Sequence, residues 1–345
     1  MVRGFRLQKG ERDPETVIDV YGIGALNLDF IYEVAHLRDV DVPGLKLAHG
    51  GEVAGSDAQL PAFRRAVERV GVLKKVSPGG SASNTCHALF LMGYHVGLAG
   101  VVGHDGAGDT YLEQVEGVDT GSVMRKGRTG LAYIMISEER DRSIVVFPGS
   151  AADLLDEDLN PEKLAAARWI HMTSLVSPRG FETQMKLKHE LQGKVSFSVD
   201  PGEIYAARGN EIFPLLAGTD VLFTSKKEIE LLFGCGLDQA IGQALAFAKT
   251  IVLKQGKEGA SLFIKSFSCH VETGAVEAVD NTGAGDVLNG VFLGLHLRGI
   301  DPALSLRVAV AAATSSVKAY GRDAYPDRQR IEVLYENMLV HHGKG

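Results

Sequence analysis

Apolar positions change their period along the chain, and each change marks an element. Val17, Ile18, Val20, Tyr21 and Ile23 form a near-continuous apolar run that predicts a buried opening strand leading into Asn27, Leu28 and Asp29. Residues 60–70 carry Phe63, Val67 and Val70 at helical spacing, and Cys86, Leu89, Phe90 and Gly93 continue the turn at 77–84 as a helix face. Residues 95–102 read as a core strand, and the runs 130–136 and 142–147 flank the charged turn 138–141 as a peripheral hairpin. Between 31 and 55, short apolar runs broken by Pro43 and several glycines suit a small peripheral sheet or flap. From Trp169 onward, strand-like and helix-like segments alternate at 169–172, 181–191, 195–200, 212–216, 221–224, 226–233, 240–248 and 251–253. Such alternation predicts right-handed βαβ units and a mostly parallel sheet covered on both faces. Short strands over 263–279 lead to the strongest helical signal, Leu288, Val291, Phe292 and Leu295, which follows the small residues of 280–286. An alanine-rich helix over 303–319 is placed to pack beside it.

Composition narrows the partners. The chain has 345 residues and a formal net charge of −7, which argues against a nucleic-acid or anionic-membrane partner and leaves room for a local phosphate site. Cys86, Cys235 and Cys269 form no metal-ligand or redox spacing, so a reducing, cytoplasmic setting is expected. Residues 1–16 are charged, lack a signal-peptide core and read as a frayed extension. The most apolar stretch, 88–103, is divided by Gly93, His95, Gly97 and Gly100, and no segment reads as a membrane span.

The candidate chemistry gathers at the turn 280–286. The first amides of a helix lack intrahelical partners, and Gly283 and Gly285 let a ligand approach them, so this turn offers N–H groups and a positive dipole end to an anion. Asp286 falls in the first helical turn. Beside an anion hole a carboxylate suits a base that takes a proton next to developing negative charge, as in phosphoryl transfer; the plainer alternative is a helix start whose aspartate complements the dipole. Local pattern alone hardly separates this turn from a second Gly-Ala-Gly-Asp at Gly106, Ala107, Gly108 and Asp109. Asn27 and Asp29, two apart on an extended face, can reach hydroxyls of a ligand or form an Asx-turn. Gly79 and Gly80 mean backbone packed on a ligand or a tight turn capped by Ser83 or Asn84. Asp200 ends a strand, and Glu228, in the first helical turn after the strand ending near Thr224, suits a hydrated divalent cation or a cap. A dinucleotide-binding reading of Gly22 and Gly24 fails, because Asn27 stands where the third glycine belongs.

Taken together, these ordered motifs resemble the ribokinase, or PfkB, family of carbohydrate and nucleoside kinases over residues 17–334. Its opening Asn-x-Asp is matched by Asn27 and Asp29, its Gly-Gly-x-x-x-Asn by Gly79, Gly80 and Asn84, and its Asp-Thr-x-Gly-Ala-Gly-Asp by residues 280–286. A scaffold motif of the family, Val-Gly-x-Asp-x-x-Gly, is matched at 102–108 and accounts for the first Gly-Ala-Gly-Asp. The resemblance implies a three-layer α/β/α kinase domain over 17–345, a mostly parallel central sheet and a small β-sheet lid from about 29–53 and 126–147. It implies Asp286 as general base, the amides of Gly283, Ala284 and Gly285 as anion hole, and Asn27, Asp29, Gly79, Gly80 and Asn84 as substrate contacts. Lys254, Gly256 and Gly259 match the nucleotide-side turn, and Asp280 and Thr282 resemble positions near a monovalent-cation (K+) site of some members. ATP and Mg2+ are the implied cofactors, with Glu228 meeting the magnesium through water. Two departures stand out: Asn281 replaces a usual Thr, Ser or Pro, and Ser225 replaces the asparagine of the Asn-x-x-Glu motif on the nucleotide side. The expected acceptor is a sugar or sugar-like alcohol. A nucleoside comes second, because the inserted helix at 60–70 looks like the adenosine-kinase branch, and a catalytically silent ligand-binding member third. A homodimer through the lid is the expected assembly if the lid exposes an apolar face.

Overall fold

A computed structural model of the chain describes residues 17–47, 50–138 and 142–342. The extension expected over 1–16 and the centre of the turn at 138–141 lie outside the described residues. In chain order the first half comprises β1 (Val20–Ile23), β2 (Asn27–Val34), β3 (Glu52–Ala54), α1 (Leu60–Val70), β4 (Gly71–Gly79), α2 (Ser81–Leu91), β5 (Val96–Val102), α3 (Gly106–Gln114), β6 (Asp119–Arg125), β7 (Gly130–Ser137) and β8 (Arg142–Phe147). It continues with α4 (Pro161–Ala165), β9 (Trp169–Thr173), α5 (Pro178–Leu191), β10 (Ser196–Asp200), α6 (Gly202–Ala206), α7 (Phe213–Leu216), β11 (Thr219–Ser225), α8 (Lys226–Phe233) and α9 (Leu237–Ala244). The last elements are β12 (Ala248–Lys254), β13 (Ala260–Ile264), β14 (Phe267–Val271), α10 (Ala284–Leu297), α11 (Pro302–Ser316) and α12 (Arg328–His342).

Strands with continuous apolar runs occupy the middle of a nine-stranded sheet ordered β14-β13-β12-β11-β10-β9-β1-β5-β6. Pairing is parallel from β12 to β6 and antiparallel from β12 to β14. One face packs under α2, α10, α11 and α12 around Leu89, Val291 and Phe292; the other packs under α5, α8 and α9 around Ile170, Phe197 and Leu222. The result is three layers, α/β/α, as burial on both faces of a parallel sheet requires.

A second, five-stranded sheet has the order β3-β8-β7-β2-β4 and carries α1 against one face, with Phe63, Val67, Tyr133 and Phe147 in its core. One of its strands does not show in the apolar pattern. β4 is read from sequence only as a path to the glycine turn, because Val72 and Leu73 point outward at 62% and 46% exposure on an edge strand. Its partner decides its conformation: β4 lies antiparallel to β2, with Asn27 opposite Gly79. β6, the edge strand of the larger sheet, is hidden for the same reason, with Met124 41% exposed. In the other direction, the helix expected over 240–248 ends at Ala244, and Ala248 already opens β12.

Helices α2 and α10 approach unusually closely. A Cβ on Gly290 would lie 2.7 Å from the Thr85 carbonyl oxygen and 2.8 Å from the Ala88 Cβ. Only glycine permits this contact, and it brings the first turn of α2 against the first turn of α10. No helix among the described residues is long and apolar enough to cross a membrane.

Candidate active site

Strand ends and helix starts of the larger sheet converge below the smaller one. Asp200 closes β10 and Lys254 closes β12; the lysine Nζ lies 2.5 Å from Asp200 Oδ2. The same oxygen accepts the Asn289 Nδ2–H of α10 at 2.6 Å. Burial alone would raise the Asp200 carboxyl, but the lysine charge and these hydrogen bonds outweigh it and hold it below the usual range. Lys254 is held above its ordinary range, burial being outweighed by Asp200 and Glu228.

Gly283 is the N-cap of α10 and sits in the left-handed region at φ 77°, where a Cβ would also run into the Tyr325 hydroxyl. The Val287 N–H closes the first turn on the Gly283 carbonyl at 2.9 Å, while the Ala284 N–H makes only a long 3.4 Å contact with the Asn281 carbonyl. Ala284 and Gly285 face a large cavity of about 1510 Å³, open solvent included, that Lys254, Gly256, Gly259 and Arg142 also line. Asp286 follows at once. Its Oδ1 accepts the Ser81 hydroxyl at 2.5 Å and its Oδ2 the Asn84 amide at 2.8 Å. Burial lifts this carboxyl to about 6, against the pull of those two hydrogen bonds.

A smaller cavity of about 220 Å³ opens on the other side, lined among others by Asp29, Ser77, Asn84, Thr282, Arg322 and Tyr325. The Asp29 carboxylate accepts no hydrogen bond among the described residues, and burial pushes it up to about 8, opposed by the Arg322 charge. Asn27 does not line this cavity; its amide oxygen is buried against Gly130 with no hydrogen-bond partner among the described residues. Gly79 and Gly80 lie behind it as the junction of β4 and α2, with the Gly79 Cα against the Asp29 carboxylate and Gly80 at φ 91°.

Ser225 and Glu228 line neither cavity. They form a capping box at the start of α8: Ser225 N–H donates to Glu228 Oε2 at 2.7 Å and Glu228 N–H to Ser225 Oγ at 3.3 Å. Burial raises the Glu228 carboxyl, with Lys254 pulling the other way. Asp280 receives the Thr282 N–H at 2.9 Å and the Gly321 N–H at 3.0 Å, which ties the turn to the segment before α12. Arg142 of β8 donates to the Thr282 hydroxyl at 3.3 Å, so the smaller sheet touches the turn directly. Ser81, Arg142, Asn289, Arg322 and Tyr325 were not singled out from sequence. Ser81 alone carried a signal, as the hydroxyl following two glycines at a helix start.

The family model described as pfkB family carbohydrate kinase matches residues 68–328. The chain belongs to this family. Among curated relatives, an uncharacterized sugar kinase of Archaeoglobus fulgidus is 30% identical over 244 residues, covering 69% of this chain and 98% of the relative. A 2-dehydro-3-deoxygluconokinase of Thermoproteus tenax is 28% identical over 278 residues, covering 75% and 85%. In fold, the adenosine kinase of Sinorhizobium meliloti superimposes with a TM-score of 0.82 at 19% identity, covering 94% of this chain and all of that one. As a pfkB family kinase the chain is a phosphotransferase with an alcohol acceptor, acting on a sugar or a nucleoside.

Proposed function

We propose that this kinase transfers the γ-phosphoryl group of ATP to a hydroxyl of a small sugar or sugar-like alcohol, with Asp286 as the general base. The observation that carries the reading is the station of Asp286 between two cavities: Gly285 before it lines the large one, and Asn84, its hydrogen-bond donor, lines the small one. The acceptor lies in the small cavity, its hydroxyls read by Asp29 and Asn84. Asp286 takes the proton of the attacking hydroxyl; lifted to about 6, it is a stronger base than an ordinary carboxylate and still ionised at neutral pH. The amides of Gly283, Ala284 and Gly285 and the dipole of α10 stabilise the charge on the transferring group. Lys254, fixed by Asp200, adds a cation beside Gly285. A loose phosphoryl-transfer transition state asks mainly for such positioning and charge stabilisation.

Nucleotide phosphates beside Asp200, Glu228 and Asp286 call for a counter-charge beyond Lys254. No group of three or more His, Cys, Asp or Glu among the described residues converges to hold a metal, which fits a hydrated Mg2+ carried mainly by the phosphates, with Glu228 meeting it through water. Bound there, Mg2+ would neutralise phosphate charge. A K+ ion at Asp280 and Thr282 belongs to the same proposal and predicts turnover that rises with K+. The smaller sheet, from about 29–53 and 126–147 together with β4, acts as a lid that excludes water, and a second copy pairs through the exposed β4 edge.

A nucleoside acceptor is the second reading, favoured by the likeness in fold to an adenosine kinase. Against it stand the small cavity and its lack of a stacking pair: Tyr325 is the aromatic side chain lining it, and that ring packs on His87. The test is MgATP turnover against pentoses, hexoses, keto-deoxy sugar acids and nucleosides, on the native protein and on Asp286→Asn. Phosphorylation of a sugar class by the native protein, with Asp286→Asn slower by at least ~10²-fold and still binding nucleotide, supports the reading. Near-normal turnover in Asp286→Asn removes the base, and a preference for nucleosides removes the acceptor.

A further inference from the structure

Asp286 is only as well placed as the amide that holds it, and an amide has two ends of nearly equal shape. Turned by half a rotation, Asn84 would set its oxygen rather than its NH2 against the carboxylate, acceptor against acceptor. Sterics hardly distinguish the two orientations; hydrogen-bond partners do. The partner here is Arg322, whose Nε–H donates to Asn84 Oδ1 at 2.9 Å. A guanidinium has donors and no acceptor, so it can face only the oxygen end of the amide. That leaves the Asn84 NH2 for Asp286 Oδ2, at 2.8 Å.

Arg322 is fixed in its turn. Its Nη2 donates to Ser83 Oγ at 2.8 Å, and the same hydroxyl accepts Tyr111 O–H from α3 at 2.6 Å. Ser83 and Tyr111 are fully enclosed, at 2% and 0% exposure. The helix that supplies Tyr111 begins at the first Gly-Ala-Gly-Asp, so the motif that does no chemistry braces the one that does.

We propose that Arg322 is a positioning residue for phosphoryl transfer, acting through the orientation of the Asn84 amide on the carboxylate of Asp286. The inference rests on the reading of Asp286 as the base. The other charged and titratable groups around Asp286 are Asp200 of β10, Lys254 of β12, Asp29 of β2 and Tyr325. None of these bonds to Asn84, so releasing Arg322 frees the amide without removing them.

The experiment compares kcat as a function of pH, and the KM for nucleotide and acceptor, in the native protein, Asn84→Ala, Arg322→Met, Arg322→Lys and Arg322→Met in the Asn84→Ala background. Loss of a charge-assisted bond that orients the base should lower kcat roughly 10- to 100-fold in Arg322→Met. The acid limb of kcat should move up by roughly one pH unit as the carboxylate loses its donor, with nucleotide KM little changed. Arg322→Lys should recover part of the rate, since one ammonium cannot serve both acceptors of a planar fork. In the Asn84→Ala background the Arg322→Met change should add little, because the amide through which it acts is gone. A full, additive loss in that background overturns the proposal, as does a raised acceptor KM with kcat and its acid limb unmoved, which would make Arg322 a plain acceptor contact. If Arg322→Met does not fold, Arg322→Lys run through the same cycle decides on the same criteria. Normal turnover in Asp286→Asn would instead remove the base itself, so the two failures are separable.

Discussion

Three carboxylates in one cleft meet burial with different help. Asp200 has an ammonium and an amide and stays low; Asp286 has a hydroxyl and an amide and rises to about 6; Asp29 accepts nothing and rises to about 8. For the last two the folded state binds the proton more tightly than the unfolded chain, whose aspartates titrate near ~4. Their contribution to the stability of the unliganded protein is therefore fully present below ~4 and is lost as pH rises, through about 6 for Asp286 and about 8 for Asp29. Each unit of pH in those windows is worth up to ~1.4 kcal/mol per group. Thermal unfolding followed across this range should show Asp29→Asn flattening the decline between pH 6 and 8 while changing little near pH 4. Equal slopes in the two proteins would mean that Asp29 is not the source.

Ser225 and Glu228 hold α8 by its start, as a pairing of Ser and Glu three residues apart commonly does. Ser225→Ala should cost about 1 kcal/mol of stability through the lost cap. A rise in the half-saturating Mg2+ concentration in the same variant is the mark of a second role for the hydroxyl, and an unchanged value leaves it a cap alone. Gly290→Ala would press a Cβ into the Thr85 carbonyl and part α2 from α10, at a cost of ~1–3 kcal/mol. Turnover should fall further than stability, since Ser81 and Asn84 travel with α2; an activity loss no larger than the loss of folded protein would show that turnover does not depend on how α2 holds Asp286. At this scale the sequence was informative where burial is two-sided. The apolar runs of β5, β9 and β10 and the seam of α10 announce themselves, whereas β4 and β6 take their form from a neighbour across the sheet. In the site, the glycine turns were legible because they are local. Arg322 was not, since its partner Asn84 is 238 positions away and nothing around either residue signals the other.

Across the whole molecule, the Arg142 bond to Thr282 ties the smaller sheet to the turn before α10. If the smaller sheet acts as a lid, Arg142→Ala should loosen its closure. ATP hydrolysis should then rise relative to transfer, with a higher KM for the acceptor. An unchanged ratio of hydrolysis to transfer would count against any part for this contact in excluding water. The outer edge of the same sheet exposes Val72 and Leu73, and charged substitutions there should lower the apparent mass in solution without lowering the unfolding temperature if copies pair through β4.

The passage from β4 to α2 occupies a single residue, Gly80. The strand that walls the smaller cavity and the helix that grips Asp286 are thus joined without a connecting loop. Recombination between family members that exchanged the smaller sheet at that junction would import a misalignment straight into the donors of Asp286. A workable exchange has to carry residues 71–84 as one cassette, so new acceptors should be easier to reach by changing side chains within the cavity than by trading whole lids.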